Sequence, residues 1–348
     1  MTPRPLATLP KAHLHLHFTG SMRLASVLDL AGAREVRLPE ALTRSWPPRL
    51  SGADERGWFR FQRLYDSARG VVQGEAAMRR VVREAAADDH AEGSGWLELQ
   101  VDPTSYAAEV GGITPALEIV LDEARAVSRE AEHGAPLAAV GIIVAASRTR
   151  HPLEARTLAR LAAMHAGDDA GEVLGFGLSN DERRGETAQF AGAFDIARRA
   201  GLMLVPHAGE LLGPAAVEDA IASLAPDRIG HGVRSVEDPR VLEIVVEDGI
   251  ALEVCPHSNL SLGVYRDPCE VPLRRLVDAG VTVALGADDP LLFGTRLVDQ
   301  YELARSAGFT DAELADLARG SVTASRAPAR IRQRLLTGID AWLAAEPA

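Results

Sequence analysis

The sequence predicts one α/β domain over residues 1–348, folded as a (β/α)8 TIM barrel with a helical insertion after the first strand. Three observations carry that expectation. Short apolar runs alternate eight times with longer stretches of helical period, the pattern of a parallel sheet with crossover helices. No Gly-x-Gly-x-x-Gly follows any candidate strand, which removes the usual dinucleotide reading of an open doubly wound sheet. Polar clusters stand just after the later strands, at the end where barrels carry their sites.

In chain order, Ala12–His17 reads as the first strand, and Ser45–Gly57, with a tryptophan before two adjacent prolines, reads as the insertion. Helical period then covers Ala77–Asp89, and Trp96–Val101 is the second strand. Thr114–Glu130 is the next helix, followed by the strand Ala139–Ala145. Leu153–Ala166, Val173–Gly177, Thr187–Arg199 and Met203–Pro206 continue the alternation. Val217–Leu224, Arg228–Gly230, Ala251–Val254 and Val281–Leu285 complete it, and helices after Thr310 end near Leu343. The chain shows no composition break, internal repeat or low-complexity tract.

With 348 residues, 47% of them apolar and 25% charged, the composition is globular and excludes wholesale disorder. A net charge of −12 argues against a nucleic-acid-binding surface. Lys11 is the only lysine, so arginine is this chain's default cation and no arginine gains weight for being one. Cys255 and Cys269 cannot make a disulfide framework. Met1–Pro10 does not read as a secretory leader. The longest apolar stretch, Leu137–Ala146, falls far short of the roughly 20 residues that span a bilayer. A soluble, cytoplasmic protein with no membrane or nucleic-acid partner is expected, and nothing in the sequence sets an oligomeric state.

His13, His15 and His17 alternate with Ala or Leu, which places all three on one strand face. A lone strand histidine is usually a satisfied core residue, but three together need partners, and a metal supplies one. His15 and His17, nearer the strand's C-terminal end, are the better pair, with Gly20 closing the following turn. Four more clusters follow later strands: His207-Ala-Gly-Glu210, His231-Gly232, Cys255-Pro-His-Ser-Asn259 and Asp288-Asp289-Pro290. Helix capping could account for Asp289. It leaves His207, Glu210 and His231 without a role. Brought to one barrel mouth, these residues make a mononuclear metal site with an activated water, and the chemistry is metal-assisted hydrolysis.

Here the sequence resembles the adenosine deaminase branch of the amidohydrolase superfamily, from Leu9-Pro-Lys11 to Gly308-Phe-Thr310. The anchors are His15-Leu-His17 with Gly20, Gly177-Leu-Ser-Asn-Asp-Glu182, His207-Ala-Gly-Glu210, Arg228-Ile-Gly-His-Gly232, Cys255-Pro-His-Ser258 and Asp288-Asp-Pro-Leu-Leu-Phe293. The resemblance implies one Zn2+ per chain held by His15, His17, His207 and Asp288, and no other cofactor. It implies that Glu210 protonates purine N1, His231 holds and deprotonates the water, and Asp289 bonds N7. The Pro-Cys-x-x-Cys pair of cytidine-deaminase sites is absent.

Two departures bear on the substrate. The family's aspartate for the ribose 5′-hydroxyl is replaced by Thr19. The glycine whose amide meets N3 is replaced by Asn180, with Gly177 opening the same motif. Together they shift the expected substrate from adenosine toward a 5′-modified adenosine, such as the 6-aminodeoxyfutalosine of menaquinone biosynthesis. Ordinary adenosine or 2′-deoxyadenosine deamination in purine salvage is the alternative, and adenine deamination a further one. A carboxylate-bearing 5′-extension would look to Arg148, Arg150 or Arg23. A non-catalytic binding protein on the same barrel would be expected to lose a ligand or Glu210, and this chain keeps them all. A two-metal hydrolase would bridge its ions with a modified lysine, and Lys11 precedes the ligand strand.

Overall fold

The computed structural model describes residues 3–52 and 54–346; Met1, Thr2, Pro347, Ala348 and, inside the expected insertion, Ala53 lie outside the described residues. Eight parallel strands follow one another in chain order. They are β1 (Lys11–His17), β2 (Ser94–Val101), β3 (Ala139–Ser147), β4 (Val173–Ser179), β5 (Met203–Ala208), β6 (Arg228–His231), β7 (Ala251–Val254) and β8 (Val283–Leu285). Every expected strand is present. β3 to β6 run one or two residues further than apolar character alone marks, because small and polar residues at their C-terminal ends still pair with the neighbouring strand. β8 starts late, since the Val281 N–H closes the preceding helix on Leu276 O at 3.1 Å.

The barrel closes between β1 and the residues after β8. His17 N–H donates to Asp288 O at 3.0 Å, and Asp288 N–H donates to His15 O at 3.0 Å. The bonds that shut the barrel therefore also seat two histidines beside an aspartate.

Helices cover the strands because their apolar residues recur at helical spacing. Glu75–Ala91 buries Ala77, Met78, Val81, Val82, Ala85 and Ala86 on one side. Between β1 and that helix the insertion is wider than expected, with helices Leu24–Ala33, Glu40–Thr43 and Glu55–Arg69. The last of these is capped by Asp54, which accepts from Gly57 N–H at 2.6 Å. The expected helix over Thr187–Arg199 splits into a 3-10 turn, Thr187–Phe190, and the α-helix Ala191–Arg199. The C-terminal helices are Asp311–Ala324 and Ala329–Ala344. No helix of the described residues is long and apolar enough to cross a membrane.

Below the mouth, the barrel interior carries charge. Arg228 of β6 is buried between Glu98 of β2 and Glu253 of β7. It hydrogen-bonds Glu98 and lies 2.7 Å from Glu253, out of line for a second bond. Removing one member of such a buried set strands the others. Arg228→Met should therefore cost about 3–5 kcal/mol of stability, read as a fall in the urea midpoint. A loss under about 1 kcal/mol would mean that something other than Arg228 neutralises the two carboxylates.

Candidate metal centre and active site

His15, His17 and His207 meet at the mouth, their ring nitrogens close enough for one ion, and His15, His231 and Asp288 form an overlapping group. His17 Nε2 lies 3.2 Å from His207 Nε2 and 3.3 Å from Asp288 Oδ1. His15 Nε2 is 3.7 Å from the same oxygen and is buried without a hydrogen-bond partner. Two imidazole nitrogens in contact plus an orphaned third, facing a carboxylate, is an arrangement that a divalent cation satisfies. The donors fit zinc in kind and number.

The groups behind these donors fix their orientation. His15 Nδ1 donates to Glu253 Oε2 at 2.7 Å, which fixes the ring with Nε2 facing the centre. Asp288 Oδ2 accepts from Ser258 Oγ at 2.6 Å. Burial works against a charge on His15, but Asp288 and Glu253 outweigh it and raise its pKa to about 10. Asp288 stays ionised: burial opposes its charge, and the bonds to His15 and His17 hold its pKa well below the usual range.

His13 is the exception among the strand histidines. The register of β1 against β2 shifts between His13 and Leu16, and across that shift the alternation breaks. His13 turns to the helix Glu75–Ala91, with Nδ1 3.0 Å from Asp89, and its Nε2 accepts from Ala287 N–H at 3.0 Å. It is a satisfied core histidine, contrary to the expectation of one shared face.

Glu210 and His231 stand beside the cluster, 3.7 Å apart and both buried. Burial first, then the charges of Asp288 and Glu182, pushes the Glu210 carboxyl well above its usual pKa, which favours its protonated form. Burial and the His15 charge lower His231 to about 3, which leaves it neutral. His231 and Asp288 both take positive φ, 65° and 61°. That conformation is costly for non-glycine residues and clusters at functional sites. Asp289 stands at the first position before the helix Pro290–Phe293, but its side chain caps nothing and Oδ1 is buried without a partner. The capping role that could have explained it is absent. Burial, then Asp288, raises its pKa.

Glycines make room for this packing. A Cβ on Gly230 would come within 2.9 Å of His15 Cε1 and 3.1 Å of His207 Nδ1, and one on Gly20 would meet Asp289 Oδ1 at 1.8 Å. Only a residue without a side chain fits either place.

A cavity of about 370 Å³ opens above the cluster and takes in His17, Thr19, Asn180, Glu210, His231 and Asp289. Thr19 is buried, and its hydroxyl, 2.5 Å from that of Tyr106, is already engaged. Asn180 has φ of 80°, a glycine-like conformation that asparagine tolerates. Its Oδ1 accepts from Asp181 N–H at 2.8 Å. Gly177 is not among the residues that line the cavity, although Ala145, its register partner on β3, is; its α-carbon faces Val205 O, Ala145 and Ile143.

The three candidate arginines separate. Arg148 is buried and bonds His207 O and Thr187 Oγ1. Arg23 pairs with Asp88 away from the cavity. Arg150 lines the rim, 3.2 Å from Glu154.

Several residues escaped the sequence reading. Glu182, inside a quoted motif but without a role, accepts from the N–H groups of Gly209, Glu210, Leu211 and Leu212 at 2.6–3.0 Å. It fixes the loop that carries Glu210. Glu98, Arg228 and Glu253 left a signal, since charges inside otherwise apolar strands need an interior reason. Gln100, Tyr65, Tyr106 and Arg69 line the cavity and left none.

Comparison with known proteins agrees with this geometry. The family model described as adenosine deaminase matches residues 10–342. A Streptomyces coelicolor protein named "Putative adenosine/adenine deaminase" is 57% identical over 347 residues, covering 98% of this chain and 99% of its own. An adenine deaminase of Rhizobium leguminosarum is 34% identical over 347 residues, covering 94% and 98%. The crystal structure of an Arthrobacter aurescens adenine deaminase superposes with a TM-score of 0.86 at 27% identity, over 97% of this chain and 99% of that one. The chain belongs to the adenosine deaminase family of the amidohydrolase superfamily, hydrolases that act on C–N bonds.

Proposed function

We propose that the protein removes the 6-amino group of a purine nucleoside by hydrolysis, and that the nucleoside need not present a free 5′-hydroxyl. The observation that carries this reading is the meeting of His15, His17, His207 and Asp288 beside Glu210 and His231. A zinc ion held by those four residues would supply an acidified water. The chain's own groups then carry the protons. Neutral His231 takes a proton from the attacking water. Protonated Glu210 donates to N1, which draws electrons from C6, and Asp289 donates to N7. The water oxygen bonds to C6; as the C6–N bond breaks, the amino group takes the proton held by His231 and leaves as ammonia, and the second water proton returns to Glu210. The product is a 6-oxopurine.

The cavity, about 370 Å³, falls in the range of small-molecule sites, roughly 300–1,000 Å³, and is roomy for a bicyclic base alone. A 5′-extended nucleoside of the aminodeoxyfutalosine type gains support from the rim. Arg150 and Arg184 both line it, in exposed pairs with Glu154 and Glu55. Such pairs are worth about 0–1 kcal/mol, so a substrate carboxylate can displace them. Free adenine is the second reading, favoured by the Thr19–Tyr106 bond, which closes the wall where a sugar would lie.

Steady-state kinetics on adenosine, 5′-methylthioadenosine, a 5′-carboxyalkyl adenosine and adenine decide among these. The 5′-substituted nucleosides should be turned over at least as efficiently as adenosine, and adenine at least tenfold less efficiently. Adenosine preferred by tenfold would restore the need for a free 5′-hydroxyl. Adenine preferred by tenfold would establish the second reading.

A further inference from the structure

We propose that Gln100 is the residue that reads the sugar at purine N9, by hydrogen bonds from its amide to ribose hydroxyls. The inference rests on the deamination reading and adds a residue to it. Gln100 lies on β2, level with His17 on β1. It is 2% exposed and lines the cavity, and neither its Oε1 nor its Nε2 has a hydrogen-bond partner. A buried primary amide without partners is costly. The hydroxyls of Thr19 and Tyr106, also on the cavity wall, bond each other at 2.5 Å and are not partners of Gln100. Gln100 is the polar group on this wall with donor and acceptor both free.

Strand order says which part of the substrate it meets. Glu210, after β5, faces N1, and Asp289, after β8, faces N7, with His231 of β6 on the short arc between them. These two nitrogens flank C6. The rest of the purine perimeter, N3 through N9, is then turned to the long arc of β1 to β4, whose end residues include Thr19, Gln100 and Asn180. Asn180 stands on β4's side, toward N3. Gln100, on β2, falls between N3 and N7, where the N9 substituent leaves the ring. A carboxamide has one acceptor and two donors, a match for sugar hydroxyls that both give and accept.

The test is Gln100→Met, which keeps length and removes both polar functions. kcat/KM on adenosine should fall about 10–100-fold, two neutral hydrogen bonds being worth about 1–3 kcal/mol together. On 9-ethyladenine, which has no hydroxyl, it should change less than about threefold. Binding of adenosine to the metal-stripped protein, measured by calorimetry, should weaken by the same 10–100-fold. Equal losses on both substrates would overturn the proposal and make Gln100 a structural residue. A wild type that turns over adenine but not adenosine would overturn it while leaving 6-aminopurine deamination intact. A wild type inactive on every 6-aminopurine would remove the deamination reading first, and this one with it.

Discussion

Glu210→Gln should lower kcat by about 10²–10⁴-fold, the range for loss of a general acid–base, while metal content and melting temperature stay at wild-type values. The glutamine amide has the same shape and can still donate a hydrogen bond to N1. It cannot transfer a proton, so C6 stays a poor electrophile. The substitution is a clean one, because the loop is held by Glu182 through four backbone N–H groups and owes nothing to the Glu210 side chain. The expected loss therefore reports proton transfer and not misfolding. Its origin is environmental: burial and the nearby Asp288 and Glu182 raise the carboxyl's pKa and favour the proton that an exposed glutamate would lose. Near-wild-type turnover in the Gln variant would show that another group protonates the ring.

The barrel and most of the site were legible because each depends on local pattern. Eight apolar runs separated by helical stretches imply the sheet, and His17, His207, His231, Asp288 and Asp289 stand at, beside or just past strand ends, where the fold itself brings them together. What sequence could not give was any feature set by register or by distant contact. His13 looked equivalent to its neighbours until the shift against β2 turned it away. Gly177 opens the motif expected at the substrate, yet it is not among the residues that line the cavity. Arg148, named for a substrate carboxylate, is used on His207 O and Thr187. Tyr106 reaches Thr19 across 87 residues of sequence. No periodicity encodes such a contact, and it changes what Thr19 means: its hydroxyl is engaged by a tyrosine on the same cavity wall.

One metal ion per chain should restore full activity to chelator-stripped protein, and Asp288→Ala should lower metal affinity by more than the 10–100-fold typical of a ligand's supporting partner. Four donors from β1, β5 and the residue that closes the barrel are enough to hold one ion and would leave it a place for water. A second ion would need a bridging ligand, in related hydrolases a modified lysine. The chain's single lysine, Lys11, is buried at the opposite end of β1, bonded to Leu6 O and Glu92 O. Metal binding should also stabilise the fold, since it removes the contact between imidazoles and supplies the orphaned His15 Nε2 with a partner. At free metal 1,000-fold above Kd the linkage is about 4 kcal/mol, a rise in melting temperature readily seen by calorimetry and clearly smaller in Asp288→Ala. Elemental analysis of the reconstituted enzyme gives the stoichiometry directly. Two ions per chain, or undiminished activity in the stripped protein, would mean that these four residues do not form the centre assigned to them.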